Sequence, residues 1–214
     1  MWDISEIGNF VGHPHATMGV HPPANIHKWW QAWEDKEKDP LGPTGEKDWS
    51  WIENEDWKAR HILLAPMFTG KNQTLRFEGL DTYSSIYLND SLILETGNMF
   101  RSYEVSIPNP KDTHLELWVE FHSTPKKAKS RRDKLGYDLP SPSDAASEKT
   151  ASFTRKAGYQ FGWDWAPRLL SGGFWKKAKL ISWDDARMVS FRTTQDTLLE
   201  NRMNGSGYFT VEAD

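Results

Sequence analysis

The sequence contains no cysteine, and this absence removes several classes of chemistry at once. Among its 214 residues there is no Cys, so disulfide bonds, thiol catalysis and thiolate metal sites are excluded. No apolar run approaches the roughly 18 residues that a membrane helix needs. The first six residues carry acids and no apolar signal-peptide core. Together with the lack of cysteine, which fits a reducing compartment, this predicts a cytoplasmic location. The alternative is a secreted or lysosomal location, which applies if the true N-terminus precedes Met1.

A strong charge of one sign and a phosphate-binding fingerprint are also lacking. Lys and Arg number 26 against 30 Asp and Glu, a formal net charge of −4, whereas nucleic-acid binders usually carry a basic excess. There is no Gly-rich phosphate loop and no alternation of strands with helices, which argues against a parallel dinucleotide-binding sheet. The sequence therefore predicts no nucleic-acid partner, no membrane partner and no cofactor.

Tryptophan is what the sequence has in excess. It contains 12 Trp beside 10 Phe and 6 Tyr. Such rings bury large areas in a core, and they also form flat platforms on which sugars and bases stack. For any single Trp, packing in an aromatic-rich β core is the stronger expectation.

Residues 1–48 are predicted to form a divergent N-terminal segment with one short helix. Asn25 is a candidate N-cap, and the apolar residues after it recur at helical spacing, namely Ile26, Trp29, Trp30 and Trp33. Three histidines precede the helix among prolines, namely His13, His15 and His21. Imidazole is a common metal ligand, but no acid or further His lies at a ligand spacing. No metal site is predicted.

From residue 57 the apolar period changes to two, which is typical of strands. Strands are predicted at 57–65, 74–78, 83–88, 100–107 and 115–122. Asn89-Asp90 between two apolar runs predicts a tight hairpin turn. Many short strands at regular spacing indicate an all-β antiparallel sandwich.

Residues 124–152 interrupt this pattern with a run of basic residues. Six cations crowd its first half, namely Lys126, Lys127, Lys129, Arg131, Arg132 and Lys134. Such a patch could attract phosphates. Since Tyr137 is its only aromatic residue, a long solvated loop is the stronger prediction, and the segment is kept as a candidate rim of a binding site.

The densest set of chemical groups is the stretch FGWDWAPR at residues 161–168. Residues 159–165 predict a strand, which Pro167 ends near a loop. A carboxylate between two indoles suits a sugar, because Asp164 can accept hydrogen bonds from neighbouring hydroxyls while the rings stack on the pyranose. A Trp corner packed in the core, with Asp164 capping a turn, explains the same composition equally well.

The same stretch, preceded by Arg155-Lys156-Ala157, resembles the signature of the β-mannosidases of glycoside hydrolase family 2. That family usually has Gly where this chain has Ala166. Further stretches resemble the family in order, at residues 51–57, 75–89, 98–103 and 173–183. The resemblance covers residues 49–186.

The resemblance implies a fold, an activity and site residues. The expected fold is a jelly-roll β-sandwich of the galactose-binding-like type at 49–186, followed at 187–214 by the start of an immunoglobulin-like domain. The family's reaction is the retaining hydrolysis of terminal, non-reducing β-D-mannosyl residues. By resemblance, Asp164 would hold hydroxyls of the terminal mannose, Trp163 and Trp165 would shape the site, and Arg168 would brace the carboxylate.

The catalytic machinery of that reaction is not expected in this chain. Retaining glycosidases use two carboxylates about 5–5.5 Å apart. In this family both lie on a (β/α)8 barrel, which takes about 250 residues. We therefore predict a sugar-recognition domain that is inactive alone, with a β-mannoside and the immunoglobulin-like and barrel domains of the parent enzyme as partners. The alternatives are a free-standing carbohydrate-binding module and the same domain of a β-galactosidase, β-glucuronidase or exo-glucosaminidase.

Overall fold

The computed structural model describes residues 2–6, 10–13, 18–20, 24–27, 39–110, 114–200 and 205–213. The strands are β1 Trp2–Glu6, β2 Phe10–His13, β3 Met18–Val20, β4 Ala24–Asn25, β5 Trp57–Leu63, β6 Asn72–Phe77, β7 Leu80–Asp81, β8 Ser84–Leu88, β9 Ser91–Glu95, β10 Tyr103–Ile107, β11 Leu115–Phe121, β12 Gly173–Phe174, β13 Ala178–Trp183, β14 Phe191–Glu200 and β15 Gly205–Ala213. The helices are α1 Gly45–Trp49 and α2 Thr124–Leu135, and 3-10 turns span Ser50–Asn54, Ala65–Met67, Ala151–Phe153 and Gly158–Phe161.

These strands form antiparallel sheets that confirm the predicted all-β sandwich. One sheet has the order β1-β13-β6-β10, and a six-stranded sheet has the order β3-β2-β5-β11-β8-β9. Short strands β4, β12 and β7 form a third sheet. Because consecutive strands in the chain are often not neighbours in the sheets, the connections cross between layers, as the predicted jelly roll requires.

The core lies between the two larger sheets and follows the alternation of the sequence. On β11 the buried side chains are Leu115, Leu117, Val119 and Phe121. They belong to one apolar cluster with Phe77 of β6 and Leu180 of β13, which come from the opposite sheet. Burying each such side chain contributes about 1.5–3 kcal/mol, so this cluster holds the two layers together.

The N-terminal strands are part of the sandwich. β1 pairs with β13, β2 pairs with β5, and β4 pairs with β12. The boundary predicted between residues 48 and 49 therefore does not coincide with a break in the sheets. Of the helix predicted after Asn25, only Ile26 and His27 lie within the described residues, where the backbone is helical; the rest lies outside them.

The basic segment is where the sequence-based expectation was wrong. Residues 124–135 form helix α2 instead of a loop. The Ser123 hydroxyl caps the helix by accepting a hydrogen bond from the Lys126 N–H, and Gly136 ends the helix at φ 78°. A Ser cap at the start and a left-handed Gly at the end are the usual limits of a helix.

Asn89 and Asp90 join β8 to β9 at φ 46° and 64°, which confirms the predicted tight turn with both central residues left-handed. Strands β14 and β15 pair with each other in a separate two-stranded sheet. The division of the chain near residue 187 remains a prediction.

Candidate functional site

The loop that carries the aromatic motif is a tight turn, and the strand predicted over residues 159–165 was wrong. The 3-10 turn Gly158–Phe161 ends at Gly162, whose φ is 96°. Trp163 and Ala166 then exchange backbone hydrogen bonds of 3.1 and 3.3 Å. A left-handed Gly followed by a closed turn reverses the chain within a few residues, so Asp164 and Trp165 form its tip.

The tip presents its side chains to solvent. Trp163 is 48% exposed and Trp165 is 82% exposed. Their rings meet edge to face, with centroids 5.8 Å apart and planes at 78°. The Asp164 side chain is also exposed, and no hydrogen bond or ion pair joins it to another described residue. The motif is therefore not the core-packed corner that composition alone allowed.

An open groove lies beside the loop. Its volume is about 400 Å³, and its lining includes Tyr159, Trp163, Pro140, Pro142 and Ser152. The 3-10 turn aims Tyr159 outward, where it is 72% exposed. The residues predicted as a rim thus contribute Pro140 and Pro142 to an aromatic-lined surface.

Arg168 does not brace Asp164 in this structure; its hydrogen bonds go inward. The guanidinium donates from Nη1 to Asp144 Oδ1 at 2.6 Å, and from Nε and Nη2 to the Glu53 carboxylate at 3.1 Å. Its ring neighbour is Phe161, 5.4 Å from the guanidinium carbon. Arg168 therefore ties the base of the loop to two distant segments.

The two carboxylates around Arg168 are held differently. Asp144 also accepts backbone N–H groups of Ala146, Thr150 and Ala151, so it is fully engaged. Burial raises the pKa of Glu53, and the charge of Arg168 opposes that rise. This network rigidifies the loop, because buried hydrogen bonds between charged groups are strong and directional when every group has its partner.

A second buried network lies on the N-terminal side of the loop. Lys156 donates to the Asp81 carboxylate and to the Ser171 carbonyl, and Gln160 donates to the same carboxylate at 3.1 Å. Burial lowers the pKa of Lys156, whereas Asp81 acts in the opposite direction. Gln160 and Lys156 flank the 3-10 turn that leads into the motif, so this network fixes its approach.

His27 is buried near Lys156 and has no role at the exposed tip. Burial, and then the charge of Lys156, lowers the pKa of His27 to about 4. Its ring stacks on Trp49 with centroids 6.0 Å apart. A neutral buried imidazole of this kind is a packing group at neutral pH.

Within the described residues no group of three or more His, Asp or Glu side chains is arranged to hold a metal ion. The side chains of His13, His15 and His21 lie outside that part. No described helix has the length and apolar character to cross a bilayer.

Comparison with known proteins identifies the family. The family whose model matches residues 5–176 is described as the galactose-binding-domain-like part of glycosyl hydrolase 2. Because the match covers most of the chain, this protein belongs to that family. The family resemblance of the sequence motifs is confirmed, and the match begins well before residue 49.

β-Mannosidases are among the proteins to which the chain is similar. It is 33% identical over 163 residues to β-mannosidase B of Aspergillus niger, covering 74% of this chain and 19% of that protein. The structure of β-D-mannosidase from Dictyoglomus thermophilum is similar over 99% of this chain and 26% of its own, with a TM-score of 0.83 and 29% identity. A GH2 β-galacturonidase from Eisenbergiella tayi shares the fold at a TM-score of 0.53 and 12% identity. The chain spans about a fifth of the length of the curated relatives it matches.

Proposed function

We propose that this chain is the substrate-recognition N-terminal domain of a β-mannosidase, in which Asp164 accepts hydrogen bonds from neighbouring hydroxyls of a terminal β-D-mannosyl residue. The observation that carries the proposal is an exposed carboxylate between two exposed indoles, joined to no other described residue. The choice of sugar is supported by the similarity of the chain to the β-mannosidases of Aspergillus niger and Dictyoglomus thermophilum.

The chemistry of the tip suits a polyhydroxylated ligand. A carboxylate offers two oxygens, so it can accept from a vicinal pair of hydroxyls, and each charge-assisted bond contributes about 1.5–3 kcal/mol. The edge-to-face pair Trp163 and Trp165 presents an apolar ring surface to the C–H face of a pyranose. In this proposal Arg168 is a positioning residue, since it acts on the loop through Glu53 and Asp144.

In this proposal, cleavage of the glycosidic bond takes place in another domain of the enzyme. Retaining hydrolysis needs an acid/base carboxyl and a nucleophile about 5–5.5 Å apart. Two carboxylates of this chain already have other hydrogen-bond partners. Glu53 accepts hydrogen bonds from Arg168, and Asp184 accepts one from the backbone N–H of Lys71. We propose that both catalytic carboxylates belong to the barrel domain of the whole enzyme, and that this chain contributes binding free energy only. An aryl β-mannoside should then release product at the buffer rate.

Ligand titration of the 214-residue chain tests the proposal. Methyl β-D-mannoside, methyl β-D-galactoside and methyl β-D-glucuronide are compared by saturation-transfer NMR and by tryptophan fluorescence. We expect weak binding of the mannoside, in the millimolar range, and weaker binding of the other two. Trp165→Ala should abolish the mannoside signal, while the matched change Trp118→Ala on β11 should leave it. Equal signals from all three sugars, or an unchanged signal in Trp165→Ala, would contradict the proposal.

A further inference from the structure

A second cleft, which shares no lining residue with the groove beside Trp163, lies between helix α2 and strands β8 and β9. Its volume is about 480 Å³. Its lining is almost entirely polar and includes Lys127, Ser130, Arg131 and Lys134 from the helix. The facing wall contributes hydroxyl groups and His122.

The helix brings its cations together on one side of this cleft. Lys127, Arg131 and Lys134 are spaced i, i+4 and i+7, so they share one helix face, with Ser130 between them. None of these three cations forms an ion pair with another described residue. By contrast, Lys129 is paired with Glu148 at 2.6 Å. The cleft is therefore lined by three cations that have no ion-pair partner in the described part of the chain.

The cationic wall is partly held in place. The Arg131 guanidinium carbon lies 4.6 Å from the centre of the Tyr83 ring, a cation–π contact that fixes its plane. The N–H groups along the edge of the guanidinium remain available as donors, and their spacing matches the oxygens of a phosphate.

The lining also supplies hydroxyl groups. Ser84 and Ser85 of β8 both line the cleft. The Ser85 Oγ lies 2.7 Å from Nε2 of His122, which belongs to the same lining. Hydroxyl and imidazole groups can donate hydrogen bonds to an anion that the cations attract.

We propose that this cleft is a binding site for a phosphate group, carried by free phosphate or by a sugar phosphomonoester. Three cations facing one volume suit a dianion with three peripheral oxygens better than a singly charged carboxylate. Glu95 is the one carboxylate in the lining, which leaves the cleft with a positive excess although the whole chain has a net charge of −4. The basic segment then forms a ligand-binding face, because the helix holds its cations on one side.

The test is a titration of the whole chain at constant ionic strength, followed by amide NMR shifts of Gly97 and Ser130. The probes are inorganic phosphate, mannose 6-phosphate and mannose. We expect saturable shifts with both phosphates and none with mannose. A tighter fit of mannose 6-phosphate would show that the sugar body also contacts the cleft, and equal affinities would show recognition of the phosphate alone; both support the site.

Charge-matched variants separate a built site from general attraction. Arg131→Gln should weaken phosphate binding by about tenfold or more, because it removes the fork of donors. Lys127→Gln and Lys134→Gln provide the same test if Arg131→Gln fails to fold. Lys126→Gln removes the same charge from an exposed residue outside the lining and should change the affinity by less than about twofold. Absence of saturable shifts, or an equal loss in Lys126→Gln, would overturn the proposal.

Discussion

Removal of the Arg168 guanidinium is expected to destabilise the chain more than any change at the exposed tip of the motif. Arg168 is 9% exposed, and it joins Glu53 to Asp144, which is 3% exposed. Arg168→Met keeps much of the side-chain volume but leaves both carboxylates without their cation. Breaking a buried pair in this way destabilises by about 3–5 kcal/mol. For a chain of this size that loss lowers Tm by about 6–20 °C.

The loss should depend on pH through Glu53. Burial raises the pKa of Glu53 and Arg168 opposes the rise, so Arg168→Met raises the pKa further. A carboxyl whose folded pKa exceeds its unfolded value stabilises the fold at low pH, and this stability is lost as pH rises through the folded pKa. The deficit of Arg168→Met relative to the parent chain is therefore largest at neutral pH and shrinks as pH falls towards 4.5, the ordinary pKa of Glu.

Urea unfolding followed by circular dichroism, at neutral and at acidic pH, measures both effects. Arg168→Lys keeps the charge without the fork of donors, so its loss should lie between those of the parent chain and Arg168→Met. A loss below about 1 kcal/mol in Arg168→Met, the range of exposed ion pairs, would refute the reasoning. So would a deficit that grows as the pH falls.

Three further predictions concern His27, the paired strands β14 and β15, and Gly162. Because burial and Lys156 lower the pKa of His27 to about 4 from 6.5, the chain should lose up to about 3 kcal/mol as pH falls through that window. His27→Gln should remove this part of the acid sensitivity in urea unfolding, and an unchanged pH profile would contradict the assignment. Deletion of residues 191–214 should leave one cooperative unfolding transition, since β14 and β15 pair with each other; loss of cooperativity would place the hairpin in the same folding unit. Gly162→Ala should cost about 1–3 kcal/mol, because φ is 96° and the new Cβ would lie 3.0 Å from the Ala145 Cβ. The control Gly136→Ala carries left-handed strain with nothing within 4 Å, so a thermal melt should show a smaller loss.

The sheets could be predicted from the sequence where one face of a strand is buried. The alternation of Leu115, Leu117, Val119 and Phe121 defines β11, and Asn89-Asp90 defines the turn before β9, because both signals are local. The N-terminal strands were not predicted. β4 is only two residues long, which is too short to show a period. The pairing of β1 with β13 and of β4 with β12 joins distant parts of the chain, which no local pattern indicates.

Helix α2 escaped prediction because it has no apolar stripe. Among its residues only Thr124 and Ala128 are buried, so the sequence shows no helical period of apolar residues. The signals that were available are the limits of the helix, with Ser123 before Pro125 at its start and Gly136 at its end. These signals predict a helix in place of the loop, and a helix places Lys127 and Arg131 on one face.

The exposed part of the candidate site could be predicted, whereas its support could not. Asp164, Trp163 and Trp165 are adjacent in the sequence, so their composition is visible there. The partners of Arg168 are Glu53 and Asp144, which are 115 and 24 residues away. No spacing rule connects such residues, because only the folded sheets bring them together.

The central claim is that Asp164 binds sugar and does not hold the fold together, and one substitution tests it on the same chain. Asp164→Asn removes the charge while keeping the shape. If the carboxylate accepts hydrogen bonds from the mannosyl hydroxyls, the substitution should weaken methyl β-D-mannoside binding by about tenfold or more. The reason is the loss of charge-assisted hydrogen bonds of about 1.5–3 kcal/mol each. The Tm should stay constant, because an exposed side chain outside any network changes stability by at most about 0.5 kcal/mol. Unchanged mannoside binding, or a destabilisation above about 2 kcal/mol that accounts for the lost binding, would contradict the account.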